Sequence, residues 1–152
     1  MSTINDTIRL TTAQAIIRWL SNQAIEIDGK ELLLCGGGFG IFGHGNVTCL
    51  GEALYDTREK LPLYRGQNEQ SMGFAAAGYA KQWLRQRFMF CTASAGPGTS
   101  NLLTSAALAN ANRLPMLLLC RMTNPIPVSN YRLKCVIYTS SWISEVLNLL
   151  QD

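Results

Sequence analysis

Apolar residues in this chain follow two alternating patterns: short unbroken blocks, and longer stretches in which they recur at helical spacing. The blocks are residues 39–42, 61–65, 88–92 and 115–120. Each is bounded by turn-forming residues and is too short for a helix, which predicts buried strands. The stretches between them read as helices. Thr11 followed by Gln14 fits a capping box, in which each side chain satisfies a free amide near the other. Ala13, Ile16, Ile17 and Leu20 then make one apolar face. Leu50, Ala53 and Leu54 do the same in residues 47–57, and Met72, Ala76, Tyr79 and Trp83 in residues 68–85; a last helix is expected over 100–112. Asp28-Gly29-Lys30 is a turn signal, and the apolar run 32–35 stops at three glycines. Buried blocks alternating with helices predict an α/β fold: a doubly wound parallel sheet with helices on both faces. Ligands of such a sheet sit off the carboxyl ends of its strands, where three corners fall: 43–46, 66–69 and 95–101.

The rest of the chain is arranged around residues 64–80. The strand pattern ends at Gly66. Asn68 is an N-cap candidate, since its side-chain oxygen can accept from the free amides of a first helical turn, and Glu69 falls in that turn, where the helix dipole favours a carboxylate. Gly73, Ala76, Ala77, Gly78 and Ala80 carry little bulk, so this helix can press closely on a neighbour. The corner alone is equally the pattern of a surface glutamate serving the dipole.

Composition narrows the class. The chain has 152 residues, 47% hydrophobic and 15% charged, which suits one well-buried domain rather than a disordered segment. The net charge is +3 with no run of Lys or Arg, which argues against a nucleic-acid partner. No apolar run approaches the roughly 18 residues of a membrane span, and the first residues lack the basic-then-apolar order of a secretory signal. The five cysteines, Cys35, Cys49, Cys91, Cys120 and Cys135, form no CxxC pair, and His44 is the one histidine. The expectation is a reduced, cytoplasmic protein with no disulfide frame and no metal site.

Two motifs mislead. Gly38-Phe39-Gly40-Ile41-Phe42-Gly43 spells the dinucleotide pattern GxGxxG, but its glycines lead into a strand instead of following one into a helix. Thr92-Ala93-Ser94-Ala95-Gly96 is near a nucleophile elbow but lacks the first glycine. Ser94-Ala95-Gly96-Pro97-Gly98 says more, because its glycines allow the backbone to approach a flat ligand closely.

Taken together, Ile41-Phe42-Gly43-His44-Gly45-Asn46-Val47, Gly66-Gln67-Asn68-Glu69-Gln70 and Ser94-Ala95-Gly96-Pro97-Gly98-Thr99-Ser100-Asn101 resemble the pyrimidine-binding N-terminal domain of thiamine-diphosphate-dependent enzymes. Within that superfamily, Arg9-Leu10-Thr11-Thr12-Ala13-Gln14-Ala15, the insertion at 28–31 and Asn68-Glu69-Gln70 are most similar to the hydrolases that open the ring of trihydroxycyclohexane-1,2-dione in myo-inositol catabolism; acetolactate synthases usually carry His where Asn68 stands. The resemblance covers about residues 8–120. It implies that Glu69 hydrogen-bonds the aminopyrimidine ring nitrogen of thiamine diphosphate and, by sharing a proton there, activates the cofactor. It places Gly96, Pro97 and Gly98 beside the cofactor and makes His44, Asn46, Gln67 and Asn68 substrate-side candidates. It further implies a small polyol-derived diketone as substrate, a homo-oligomer, and Mg²⁺ held with the diphosphate by another domain and not by this chain. The expected division is residues 1–120 as the pyrimidine-binding domain and 121–152 as a divergent tail, with a frameshift as one origin; residues 142–150 could be a short amphipathic helix. On this reading the chain is an N-terminal fragment, inactive alone. The alternatives are a non-catalytic α/β ligand-binding or interaction module, and a fragment of an acetolactate-synthase-like enzyme.

Overall fold

The computed structural model describes residues 7–120; the expected tail at 121–152, with Cys135 and the apolar stretch 142–150, lies outside the described residues. The elements in order are α1 (Thr12–Leu20), β1 (Ala24–Ile27), β2 (Lys30–Leu33), β3 (Cys35–Ile41), α2 (Cys49–Asp56), β4 (Leu63–Arg65), α3 (Glu69–Gln82), β5 (Phe88–Ala93), α4 (Pro97–Asn101), α5 (Leu103–Ala111) and β6 (Leu117–Cys120). Four strands form a parallel sheet in the order β4-β3-β5-β6.

The sheet is covered on both sides because β5 deals its side chains alternately to two cores. Phe88 and Phe90 join Ala13, Ile17 and Leu20 of α1 and Leu50, Ala53 and Leu54 of α2. Met89, Cys91 and Ala93 join Met72, Ala76, Ala77 and Ala80 of α3 and Ala106 and Ala109 of α5. Of the residues expected to pack on this side of α3, Met72, Gly73, Ala76, Ala77 and Ala80 are buried, Tyr79 and Trp83 are half-buried, and Gly78 is exposed. Both members of the Thr11/Gln14 capping box form their bonds, at 2.9 and 3.2 Å.

Three features depart from the sequence expectations. The 28–30 turn is the tip of a separate antiparallel hairpin, β1–β2, with Ala24 opposite Leu33 and Ile27 opposite Lys30. Asp28 (φ 51°) and Gly29 (φ 73°) make the turn whose twist suits a two-residue hairpin. The hairpin is fastened to the end of α3 by Arg87, whose Nε donates to the Leu33 carbonyl at 2.6 Å while its guanidinium lies 4.6 Å from the Trp83 ring centre. Second, β3 begins at Cys35, so the three glycines lie inside the strand. A β-carbon on Gly38 would stand inside the Phe90 ring, and one on Gly36 would collide with the Tyr79 hydroxyl. Glycine here makes room for aromatic rings from β5 and α3. Third, the helix expected at 100–112 starts earlier and is interrupted at Leu102, dividing it into α4 and α5.

Candidate functional site

The three corners meet at the carboxyl ends of β3, β4 and β5. The corner after β5 is the hinge of the group and touches both others. On one side, Gly43 packs so closely on Ser94 that a β-carbon would lie 2.7 Å from the Ser94 β-carbon. On the other, a β-carbon on Gly98 would lie 3.1 Å from Glu69 Oε1 and 2.5 Å from Ser94 Oγ. The corner after β4 is drawn in by the Gly66 amide, which donates to the Gly40 carbonyl at 3.3 Å.

Asn46 is buried, at 4% exposure, and all its side-chain bonds are inside the protein. Its amide donates to Thr92 Oγ1 and the Ala93 carbonyl, each at 3.1 Å, and its oxygen accepts from the Gly43 amide at 2.9 Å. Thr92 is buried too and passes its own hydroxyl proton to the Leu119 carbonyl at 2.8 Å. A chain of polar contacts thus ties the loop after β3 to β5 and β6. Neighbouring His44 is exposed.

Asn68 caps α3: its oxygen accepts from the Ser71 amide at 3.0 Å. Gln67 and Asn68 are both exposed, while Glu69, the first residue of α3, is half-buried. Its carboxylate stands at the positive end of a fourteen-residue helix. Oε2 accepts from the Asn101 amide at 2.9 Å; among the described residues no donor stands on Oε1, the oxygen over Gly98.

The turn beneath this carboxylate is tightly determined. Gly96, the N-cap of α4, has φ 75°, in the left-handed region where glycine is at ease. Pro97 follows at the first helical turn, where its missing amide costs nothing. Thr99 clamps the turn by donating to the Ser94 carbonyl from both its amide and its hydroxyl, each at 3.0 Å. Gly98 is buried and Pro97 exposed. Asn101 is the site residue that sequence reasoning missed. Its pairing spans two helices and has no local signature; the available clue was its position one helical turn after Pro97.

What this arrangement offers is one fixed carboxylate oxygen beside a backbone cleared of side chains. A cleft of about 680 Å³ lies elsewhere, between the ends of α1 and α2, lined by Leu10, Arg18, Asp56, Arg58 and Lys60 among others. Its lining mixes both charge signs. Among the described residues no group of three or more His, Cys, Asp or Glu could hold a metal ion, and no helix is long and apolar enough to cross a membrane.

Comparison with known proteins agrees with this geometry. Residues 37–129 match the family model of the thiamine pyrophosphate enzyme N-terminal TPP binding domain. The chain is 51% identical over 113 residues to the 3D-(3,5/4)-trihydroxycyclohexane-1,2-dione hydrolases of Bacillus thuringiensis (strain Al Hakam), Bacillus cereus (strain AH820) and Bacillus anthracis. In each case the match takes in 74% of this chain and 18% of the relative, so the match spans under a fifth of the length of the curated relatives. With the parallel sheet, the three corners and the family match in agreement, this chain belongs to the thiamine pyrophosphate enzymes and carries their N-terminal domain.

Proposed function

We propose that this chain supplies the pyrimidine half of a thiamine diphosphate site in a hydrolase that opens the ring of trihydroxycyclohexane-1,2-dione. The observation that carries the reading is the Glu69 corner: a carboxylate with one oxygen tied to Asn101 and the other over the bare backbone of Gly98. The fit is supported by that clearance, because a side chain at 98 would occupy the place beside the carboxylate that a flat heteroaromatic ring needs. When bound, the cofactor supplies a nucleophilic carbon and an electron sink. The part of this chain is to hold the ring. Glu69 Oε1 accepts from, or shares a proton with, a ring nitrogen. Gly96, Pro97 and Gly98 form a wall without bulk. Asn46 keeps the loop carrying His44 against β5. His44 and Gln67, both exposed beside the corners, are available to a substrate. Mg²⁺ and the diphosphate belong on this reading to another domain, in a cytoplasmic homo-oligomer, and the 152-residue chain alone has half a site and no turnover. A charge-assisted hydrogen bond contributes about 1.5–3 kcal/mol, so the half-site alone binds the cofactor more weakly than millimolar.

The test is a graft. Residues 1–120 replace the matching segment of a Bacillus relative, and turnover of the diketone is measured with and without Glu69→Gln. The graft is expected to turn over and the Gln variant to fold normally with most activity lost, because an amide cannot share the proton. A Gln variant as active as its parent would show the carboxylate to be misassigned, as would micromolar cofactor binding by the chain alone.

A further inference from the structure

From the Asn101–Glu69 contact we infer that Asn101 is a positioning residue that decides which oxygen of Glu69 meets the ligand; this rests on the function proposed above. A carboxylate on a helix end has two equivalent oxygens and a freely turning terminal bond. Here the two are made unequal. Oε2 is engaged by the Asn101 amide at 2.9 Å, and Oε1 lies against Gly98. An amide N–H can only donate, so it occupies one lone pair on Oε2 and makes a proton on that oxygen less favourable than on Oε1. The oxygen over Gly98 is then the one left to share a proton with a ring. Asn101 brings no charge, so it orients the carboxylate without neutralising it.

The separation between the two residues is set by packing and not by the contact itself. Leu102, next to Asn101, is fully buried, and a β-carbon on Gly73 would lie 3.5 Å from its Cδ2. Ser105, one turn further on, fills the remaining space against Gly73 and donates to the Leu102 carbonyl at 2.8 Å. At the other end, Thr99 fixes α4 to Ser94. Asn101 is thereby held between two anchored points, facing a glutamate whose own helix is part of the same packing. A side chain so placed can select one oxygen reproducibly, which a mobile surface amide could not.

The experiment uses the full 152-residue chain, native and with Asn101→Ala or Asn101→Gln, labelled for NMR at glutamate carboxyl carbons and backbone amides. Without ligand, the native chain is expected to show a coupling across the hydrogen bond between Asn101 Nδ2 and the Glu69 carboxyl carbon, lost in Asn101→Ala. The probe is 4-amino-2-methylpyrimidine at tens of millimolar. In the native chain it should move the Glu69 carboxyl and Gly98 amide signals. Asn101→Ala should bind it about tenfold more weakly with the remaining amide spectrum unchanged, equal to about 1.4 kcal/mol. Asn101→Gln should recover part of the loss, since it keeps the donor on a longer arm. Equal binding by native and Asn101→Ala chains would overturn the inference and leave the proposed site standing. A probe that moves signals elsewhere and leaves Glu69 untouched in the native chain would overturn the proposed site and this inference with it. If Asn101→Ala does not fold, the Gln variant alone decides: binding and coupling weakened together support the role, and either one lost while the other stays at the native value overturns it.

Discussion

Ser105 Oγ lies where a β-carbon on Gly73 would have to go. Both residues are buried, at the crossing of α3 and α5. The consequence is opposite behaviour of two glycines in one helix. Gly73→Ala gains about 1 kcal/mol of helix propensity but overpacks a site with no flexible neighbour, at about 1–3 kcal/mol, so a net loss of up to about 2 kcal/mol is expected. Gly78 has nothing within 4 Å of its missing β-carbon, so Gly78→Ala should stabilise by up to about 1 kcal/mol. Urea unfolding of the two variants, followed by circular dichroism, reads the sign directly. Equal shifts would mean that the crossing is looser than described.

Asn46 and His44 stand two residues apart and should respond differently. Asn46→Ala removes three hydrogen bonds, two of them buried and one part-buried, and should cost about 2–3 kcal/mol. His44→Ala, on an exposed side chain, should stay within about 0.5 kcal/mol of the native stability. Thermal unfolding separates the two, and a large loss at His44 would reveal a structural bond there.

Much of this was legible beforehand, for identifiable reasons. The capping pair Thr11/Gln14 and the cap Asn68 depend on neighbours three residues away, and such local chemistry survives whatever the fold does around it. The β5 block was legible because a strand buried on both faces is apolar at nearly every position. The start of β3 was not. Three successive glycines weaken a strand by every local measure, and only distant parts of the chain explain them: the Tyr79 ring at Gly36, the Pro62 carbonyl and a φ of 122° at Gly37, and the Phe90 ring at Gly38. Hairpin β1–β2 was hidden because its strands are four residues each and none of those residues is fully buried. At the candidate site, the place of Glu69 in the first turn of α3 could be read from its corner. That one of its oxygens is already taken could not, since Asn101 reaches it across two separate helices.

Three buried thiols make the protein sensitive to alkali. Burial pushes Cys35 up to about 11 and Cys91 up to about 12 from an ordinary value of 9.0, and raises Cys120 as well. In the folded chain these protons stay on; in the unfolded chain they leave near pH 9. Because the folded-state values are raised, their contribution is fully present below about pH 9 and is lost as the pH climbs to about 11 for Cys35 and about 12 for Cys91. Across that window stability should fall by about 1.4 kcal/mol per pH unit for each thiol. Urea midpoints at a series of alkaline pH values test this, and Cys91→Ala should flatten the slope.

The same burial sorts the cysteines by reactivity. Cys49 is exposed and should react with a thiol reagent at pH 8 in the folded protein, while Cys35, Cys91 and Cys120 should react only on unfolding. Peptide mapping by mass spectrometry after brief labelling distinguishes them, and rapid modification of Cys91 under native conditions would contradict the packing of β5.

Strand β5 lies between β3 and β6 and contributes to both cores, yet among the described residues it is the fifth of six strands in chain order. A nascent chain that has emerged only as far as residue 87 holds α1, α2 and α3 with their apolar faces uncovered. All it can offer them is β3, paired with β4 through three residues. Neither half of the interior can close first and wait for the other. Both cores therefore wait on β5, and neither is complete until Leu117–Cys120 of β6 has followed it.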